Sequence, residues 1–218
     1  PLATITEVCG APGAGKTQMA IQAAVAATVP RSLGGVEGST LYLDTEGSFS
    51  ASRAADMAEF AVAHFAEIAA RSMGGSAPAV VPTRDDVLSR IHVFRAHDYA
   101  EQLAFVRCLP DLIRAVAPAT PVRLVVVDSV AFHFRHDFTD LSARARTLTR
   151  LAQQLNAVAA EFRVAVLVTN HMTTRVGSAP APAAIDAAHS DASASELIPA
   201  LGESWSHAVA NRVLVTPL

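Results

Sequence analysis

Val8-Cys9-Gly10-Ala11-Pro12-Gly13-Ala14-Gly15-Lys16-Thr17 is the stretch that decides how this chain folds. The apolar run Thr4-Ile5-Thr6-Glu7-Val8-Cys9 enters it, and the amphipathic stretch Gln18 to Val25 leaves it. The order is strand, glycine-rich turn, helix, with G-x-x-x-x-G-K-T at the joint, the arrangement that cradles phosphates. Gly10, Gly13 and Gly15 let the backbone take dihedrals that a Cβ would forbid, so successive amides can turn inward. A helix starting at Lys16 adds the positive end of its dipole. A nucleotide's phosphates are therefore expected along Gly10, Ala11, Pro12, Gly13, Ala14, Gly15, Lys16, Thr17 and Gln18. Lys16 can reach the β- and γ-phosphates, and the Thr17 hydroxyl can sit on Mg²⁺.

Composition sharpens this reading. Of 17 basic residues, only Lys16 is a lysine, in a chain that also carries 44 alanines. A lysine that stands alone against so strong an Arg bias marks a place where a compact ammonium works and a planar guanidinium would not.

The 218 residues, 51% of them hydrophobic, support one well-buried domain. A net charge of −3 gives no global basic field, so any polyanion must meet a local patch or surface from other chains. Cys9 and Cys108 form no disulfide or metal pattern, which suits a reducing compartment, and Cys9 reads as a small core residue. No apolar run approaches the roughly 18 residues of a membrane helix, and no signal peptide opens the chain. The expectation is a soluble intracellular protein. Because it opens one strand before the glycine-rich turn and stops at Leu218 within an apparent strand, the expectation is a single domain cut from a longer protein, or one whose missing parts come from elsewhere.

Strand and helix patterns alternate along the chain. Strands are expected at 40–44, 91–94, 123–128, 163–170 and 212–215, and helices at 51–70, 99–116 and 141–161, with Pro110 kinking or interrupting the second. Residues 73–82 read as a mobile loop. Residues 172–198, rich in Ala, Ser and Pro without periodicity, read as a long loop, either functional or disordered. Such alternation argues an α/β fold, with a mostly parallel sheet covered on both faces.

Polar residues at the C-terminal ends of these strands carry the chemistry, because ligands of open parallel sheets bind there. Asp128 follows Leu124-Val125-Val126-Val127 directly and can present its carboxylate to Mg²⁺ or its waters. Glu46 can orient and deprotonate the water attacking the γ-phosphate, or supply charge to the next helix. Asn170 either offers its amide to a γ-phosphate or satisfies loop backbone. Its neighbour His171 has a sensing or a packing role. Arg53 either stacks on a purine or is solvated. His133 and His136 lack partners at zinc spacing.

Two segments are candidates for DNA. Phe132-His133-Phe134-Arg135-His136-Asp137 interleaves aromatic and basic groups, and Arg144, Arg146 and Arg150 follow, a pattern that suits single strands. In 172–198 one arginine, Arg175, stands against Asp186, Asp191 and Glu196, so only its first residues, Met172 to Arg175, suit a phosphate backbone.

With these residues placed, the chain resembles the RecA-like recombinase ATPases, and among them the eukaryotic recombinase paralogues, most of all their C-type members. Leu43-Asp44-Thr45-Glu46-Gly47-Ser48-Phe49, Phe94 to Tyr99, Ala131 to Asp137 and Ala200 to His207 carry the resemblance, which runs through nearly the whole chain. It implies a RecA-like P-loop NTPase core that binds ATP and Mg²⁺ between protomers. Glu46 would be the catalytic glutamate, Asp128 the Mg²⁺-site aspartate and Arg53 the adenine contact, with 132–140 and 172–198 the two DNA loops. The family places Gln where this chain has His171, which bears on coupling of the γ-phosphate to the second loop. The family's N-terminal helical domain and later strands are not in this sequence. A nuclear Mg²⁺-ATP hydrolase of homologous-recombination repair is implied. It would be weak alone and stimulated by DNA, single-stranded or branched, within a hetero-oligomer of paralogues. The other expectation is an assembly scaffold gated by nucleotide with little turnover. A kinase on the same loop would want a basic lid, and 172–198 is acidic on balance.

Overall fold

The computed structural model describes residues 2–71, 80–138, 140–175, 196–201 and 205–216. β1 (Ile5–Gly10) leads through the glycine-rich turn into α1 (Lys16–Ala26), and β2 (Ser39–Asp44) precedes α2 (Ala51–Arg71). α3 (Arg84–Ser89), β3 (Ile91–Arg95), α4 (Tyr99–Val116) and β4 (Val122–Asp128) follow. α5 (Phe132–His136) and α6 (Leu141–Phe162) lead to β5 (Ala165–Arg175), β6 (Glu196–Pro199) and β7 (Asn211–Val215).

The strands form one sheet in the order β3-β2-β4-β5-β1-β7, parallel throughout, with β6 antiparallel to the far end of β5. β4, whose apolar run demanded burial on both faces, lies inside this order. On one face α1 and α2 pack with Tyr42, Leu124 and Val126. On the other, α4 and α6 cover Leu41, Leu43, Val125, Val127, Val166 and Val168. The α/β reading therefore holds, with helices on both faces of a mostly parallel sheet.

Successive side chains of a strand alternate between these faces. Asp44 shares the α1 face with Tyr42, Asp128 with Val126, and Thr169 and His171 with Leu167. Glu7 and Asn170, one step out of phase, fall on the α6 face.

Three expectations change. α4 runs uninterrupted through Pro110. An interior proline costs about 3 kcal/mol, whereas each fully buried large apolar side chain returns about 1.5–3 kcal/mol, and this helix buries Phe105, Val106, Leu109 and Ile113. Residues 172–198 do not begin as loop, because Met172 to Arg175 pair with Glu196 to Pro199 as an antiparallel arm. The expectations for 176–195 fall outside the described residues, as does most of 73–82. The short helix α3 was not expected, although Thr83 and Asp86 form a capping box at its start.

Candidate functional site

The turn between β1 and α1 has the backbone its glycines were expected to supply, though not in the same way at each. Gly13 and Gly15 have φ of 78° and 94°. Gly10 does not, and its constraint is space, since a Cβ there would meet the Val215 carbonyl oxygen at 2.7 Å. Among the described residues no side chain caps the N-terminus of α1, which leaves its first-turn amides for a ligand.

Lys16 is buried, and its Nζ donates to the carbonyl oxygens of Gly10 at 3.0 Å and Ala11 at 2.9 Å. Two of its three N–H groups hold the turn and the third remains for a phosphate. Burial pushes the ammonium below its ordinary lysine range, and the nearby Glu46 and Asp128 carboxylates oppose that shift. Beside it opens a cavity of about 400 Å³ lined by Pro12, Gly13, Gly15, Lys16, Thr17, Gln18, Glu46, Ser48, Asp128 and His171. Strands β2, β4 and β5 bring the last four of these together from distant parts of the sequence.

Asp128 is 2% exposed. Its oxygens accept from Thr169 Oγ1 at 2.5 Å and from Tyr42 Oη at 2.7 Å. Burial, then the Asp128 charge, pushes the Tyr42 phenol far above its ordinary value, so Tyr42 stays a donor. Glu46 reaches the same cavity from the β2 end. Its Oε1 accepts from Ser129 Oγ at 2.5 Å and lies 2.5 Å from His171 Nε2. Burial alone would raise its pKa, but the hydrogen bonds from His171 and Ser129 and the His171 and Lys16 charges hold it below the ordinary glutamate range.

The loops bearing the two carboxylates are laced together. Ser129 N donates to Thr45 Oγ1 at 2.8 Å while that hydroxyl donates to the Ser129 carbonyl at 2.8 Å. Thr45 N adds a bond to the Asp128 carbonyl at 2.8 Å, and the peptide between Asp128 and Ser129 is cis. Thr17 Oγ1 lies 3.4 Å from Ser48 Oγ. A hydroxyl on the turn and a buried carboxylate beside the same cavity are the oxygen donors that Mg²⁺ takes together with substrate phosphates and water. Among the described residues no cluster of three His, Cys, Asp or Glu side chains could hold a metal without them.

The model for the AAA domain family matches residues 1–175. This chain belongs to that family, among the RecA-like recombinase paralogues. The DNA repair protein RAD51 homolog 3 of Cricetulus griseus is 41% identical over 98% of this chain and 54% of its own length. Its namesake in Dictyostelium discoideum is 37% identical over 99% of this chain and 52% of its own length. The DNA repair and recombination protein RadA of Methanocorpusculum labreanum is 36% identical over 79% of this chain and 51% of its own length. The chain thus spans about half the length of these relatives.

For a recombinase paralogue, one of the two further residues expected at the nucleotide lies elsewhere. Asn170 is fully buried and its Nδ2 donates to Glu7 Oε1 at 2.7 Å, on the sheet face away from the turn. The strand's alternation admits only one of Asn170 and His171 to the cavity, and it admits His171. Arg53 Nε donates to Gln18 Oε1 at 2.9 Å and so sits beside the start of α1.

The DNA candidates also divide. Phe134 is fully buried and stacks on Phe138 at 5.4 Å, and buried His133 places Nε2 3.2 Å from the Ala96 carbonyl. Residues 132–136 form a helix with its aromatic side on the core, so Phe134 is not open to bases, while Arg135 is exposed. Arg144 is half-buried and donates to the Ala200 carbonyl at 3.2 Å, holding the end of the β5–β6 arm. Arg146 is exposed. Arg175 ends β5, in register with Glu196.

Four residues of this architecture escaped the sequence reading. Asp44 accepts from a run of backbone amides after β2, described below. Glu7, 0% exposed, accepts from Asn170 and Trp205 on one oxygen and from Arg212 Nε at 2.6 Å on the other. A charged residue inside an otherwise apolar strand was the signal for Glu7. Nothing local marked Trp205 or Arg212.

Proposed function

We propose that this domain binds Mg²⁺-ATP and hydrolyses it as the ATPase core of a homologous-recombination repair protein, working in the nucleus within a hetero-oligomer of recombinase paralogues. The convergence of Lys16, Thr17, Glu46, Asp128 and His171 on one cavity at the N-terminus of α1 carries this reading. The turn's amides, Lys16 and Thr17 hold the triphosphate, with Gln18 and Arg53 toward the base. Thr17 and Asp128 hold Mg²⁺, Asp128 largely through water, and the ion when bound neutralises charge developing on the phosphates.

Glu46 supplies the carboxylate that orients and deprotonates the attacking water. With Oε1 committed to His171 and Ser129, Oε2 is the oxygen left for that task. Lys16 lines the same cavity, so water and γ-phosphate would be held between an acceptor and a donor. The exposed Arg135 and Arg146, with Arg175 at the mouth of the β5–β6 arm and Arg144 bracing it, offer the phosphate contacts for single-stranded or branched DNA.

Measuring ATP hydrolysis with and without single-stranded DNA, each with and without a paralogue partner, tests this. Turnover is expected to be weak alone and to rise with DNA and partner. No hydrolysis under any of these conditions would refute it. The second reading, a nucleotide-gated scaffold with little turnover, draws on the same Glu46, whose double engagement limits its freedom to act as a base. If Glu46→Gln abolishes hydrolysis yet preserves complex formation and repair, the scaffold reading is right.

A further inference from the structure

The carboxylate of Asp44 organises the loop that carries Glu46. Its Oδ1 accepts from the backbone amides of Glu46 at 3.2 Å, Gly47 at 2.8 Å and Ser48 at 3.1 Å, and its Oδ2 from that of Phe49 at 3.3 Å. Arg95, at the end of the neighbouring strand β3, closes the cage with Nη1 3.1 Å from Oδ1. The same guanidinium lies over Gly47, where a Cβ would meet it at 2.9 Å and where φ is 76°, so the loop fits only with glycine at its turn.

Each residue so tied has business in the cavity or behind it. Glu46 lines it, Ser48 lies by Thr17, and Phe49 packs edge-on against Tyr42 at 4.9 Å, the residue that holds Asp128. The Asp44 side chain is 7% exposed and does not line the cavity itself. Its hydrogen bonds set the height and direction at which Glu46 leaves the sheet, and charge-assisted bonds to backbone amides are the strong, short-range kind that fix geometry.

We propose that Asp44, locked by Arg95, is a positioning residue for hydrolysis, setting the Glu46 carboxylate against the phosphates without touching them; this rests on Glu46 acting on water. Misplacement of a catalytic group by about 1 Å costs on the order of a hundredfold in rate. Asp44→Asn keeps the shape of the side chain but loses the charge that holds Arg95 and strengthens the amide bonds. Arg95→Gln removes the lock from its half-exposed side and keeps the inference testable should the first variant fold poorly.

The experiment is a kcat and KM comparison of the purified protein and both variants, with Mg²⁺-ATP affinity by calorimetry and Glu46→Gln alongside. In Asp44→Asn, kcat is expected to fall about 10- to 100-fold with affinity within about threefold, and Arg95→Gln to fall in the same sense. Amide exchange at residues 46–49 is expected to rise in both, with the rest of the chain unchanged. Affinity lost in step with turnover would mean a merely structural role and overturn the proposal. Turnover lost in Glu46→Gln but kept in both variants would overturn it while leaving the functional reading standing. Turnover kept in Glu46→Gln would overturn both.

Discussion

His171 Nε2 lies 2.5 Å from Glu46 Oε1, joining the middle of β5 to the loop after β2 across the cavity. The His171 carbonyl meanwhile accepts from Ala200 N at 2.9 Å, so one residue touches both the candidate water-activating carboxylate and the β5–β6 arm. What matters to Glu46 is a donor at this position. His171→Gln should keep single-turnover hydrolysis at saturating ATP within about threefold of wild type. His171→Ala removes a hydrogen bond to a charged group, worth about 1.5–3 kcal/mol, and should slow it roughly tenfold or more. Equal rates for His171→Ala and wild type would show that the contact plays no part in the reaction.

Lys16 is held by two carbonyls of its own turn, and a planar guanidinium does not offer its donors as a compact ammonium does. Lys16→Arg should therefore fail almost as fully as Lys16→Ala, with Mg²⁺-ATP affinity in calorimetry down by about tenfold or more in both. Both variants should melt within a few degrees of wild type. Arginine binding as tightly as lysine would mean that charge alone is enough.

The depressed pKa of Glu46 has a consequence for stability with a definite sign. Its carboxylate is held below the ordinary glutamate value of 4.5 in the folded state, so the folded form binds fewer protons than the unfolded form. That contribution is fully present above the unfolded pKa and is lost as pH falls through the folded one. The melting-temperature difference between wild type and Glu46→Gln should thus shift against wild type as pH falls below about 4.5. A difference that grew in favour of wild type as pH fell would give the opposite sign and refute the shift.

Much of the site could be seen in the chain before its structure. The glycine-rich turn is local, and Asp128 and Glu46 announce themselves as polar residues closing apolar strands, so sheet topology alone brings them to one edge. What failed was whatever depends on phase or distance. Asn170 was assigned to the nucleotide while His171 was left between sensing and packing, although neighbours on a strand face opposite ways and only one of them can enter the cavity. Phe132 to Asp137 read as an aromatic-basic stacking surface because composition does not say which way a short helix turns its rings. Asp44 passed as the mere end of a strand, since its partners are backbone amides that leave no trace in the sequence. The Glu7 cluster spans 198 residues from Glu7 to Trp205 and was beyond any local pattern.

Glu7 is the acceptor on which β5, β7 and the segment at Trp205 meet, with Asn170 at 2.7 Å, Trp205 Nε1 at 2.8 Å and Arg212 Nε at 2.6 Å. Burial and the neighbouring Glu7 charge push the Cys9 thiol up to about 12, so Cys9 stays neutral on this face. Glu7→Ala would leave two buried N–H donors and a guanidinium without their acceptor, a loss of about 3–5 kcal/mol. At about 2–4 °C per kcal/mol for a domain of this size, the melting temperature should fall by roughly 10 °C. Glu7→Gln keeps an acceptor for Asn170 and Trp205 but turns an NH2 toward Arg212, losing that hydrogen bond along with the charge, so its fall should be smaller than that of Glu7→Ala. Trp205 is the single tryptophan and is 1% exposed, so its fluorescence reports unfolding of this cluster directly. A Glu7→Ala protein that melts within about 2 °C of wild type would show that water replaces the carboxylate and that the cluster contributes little to the fold.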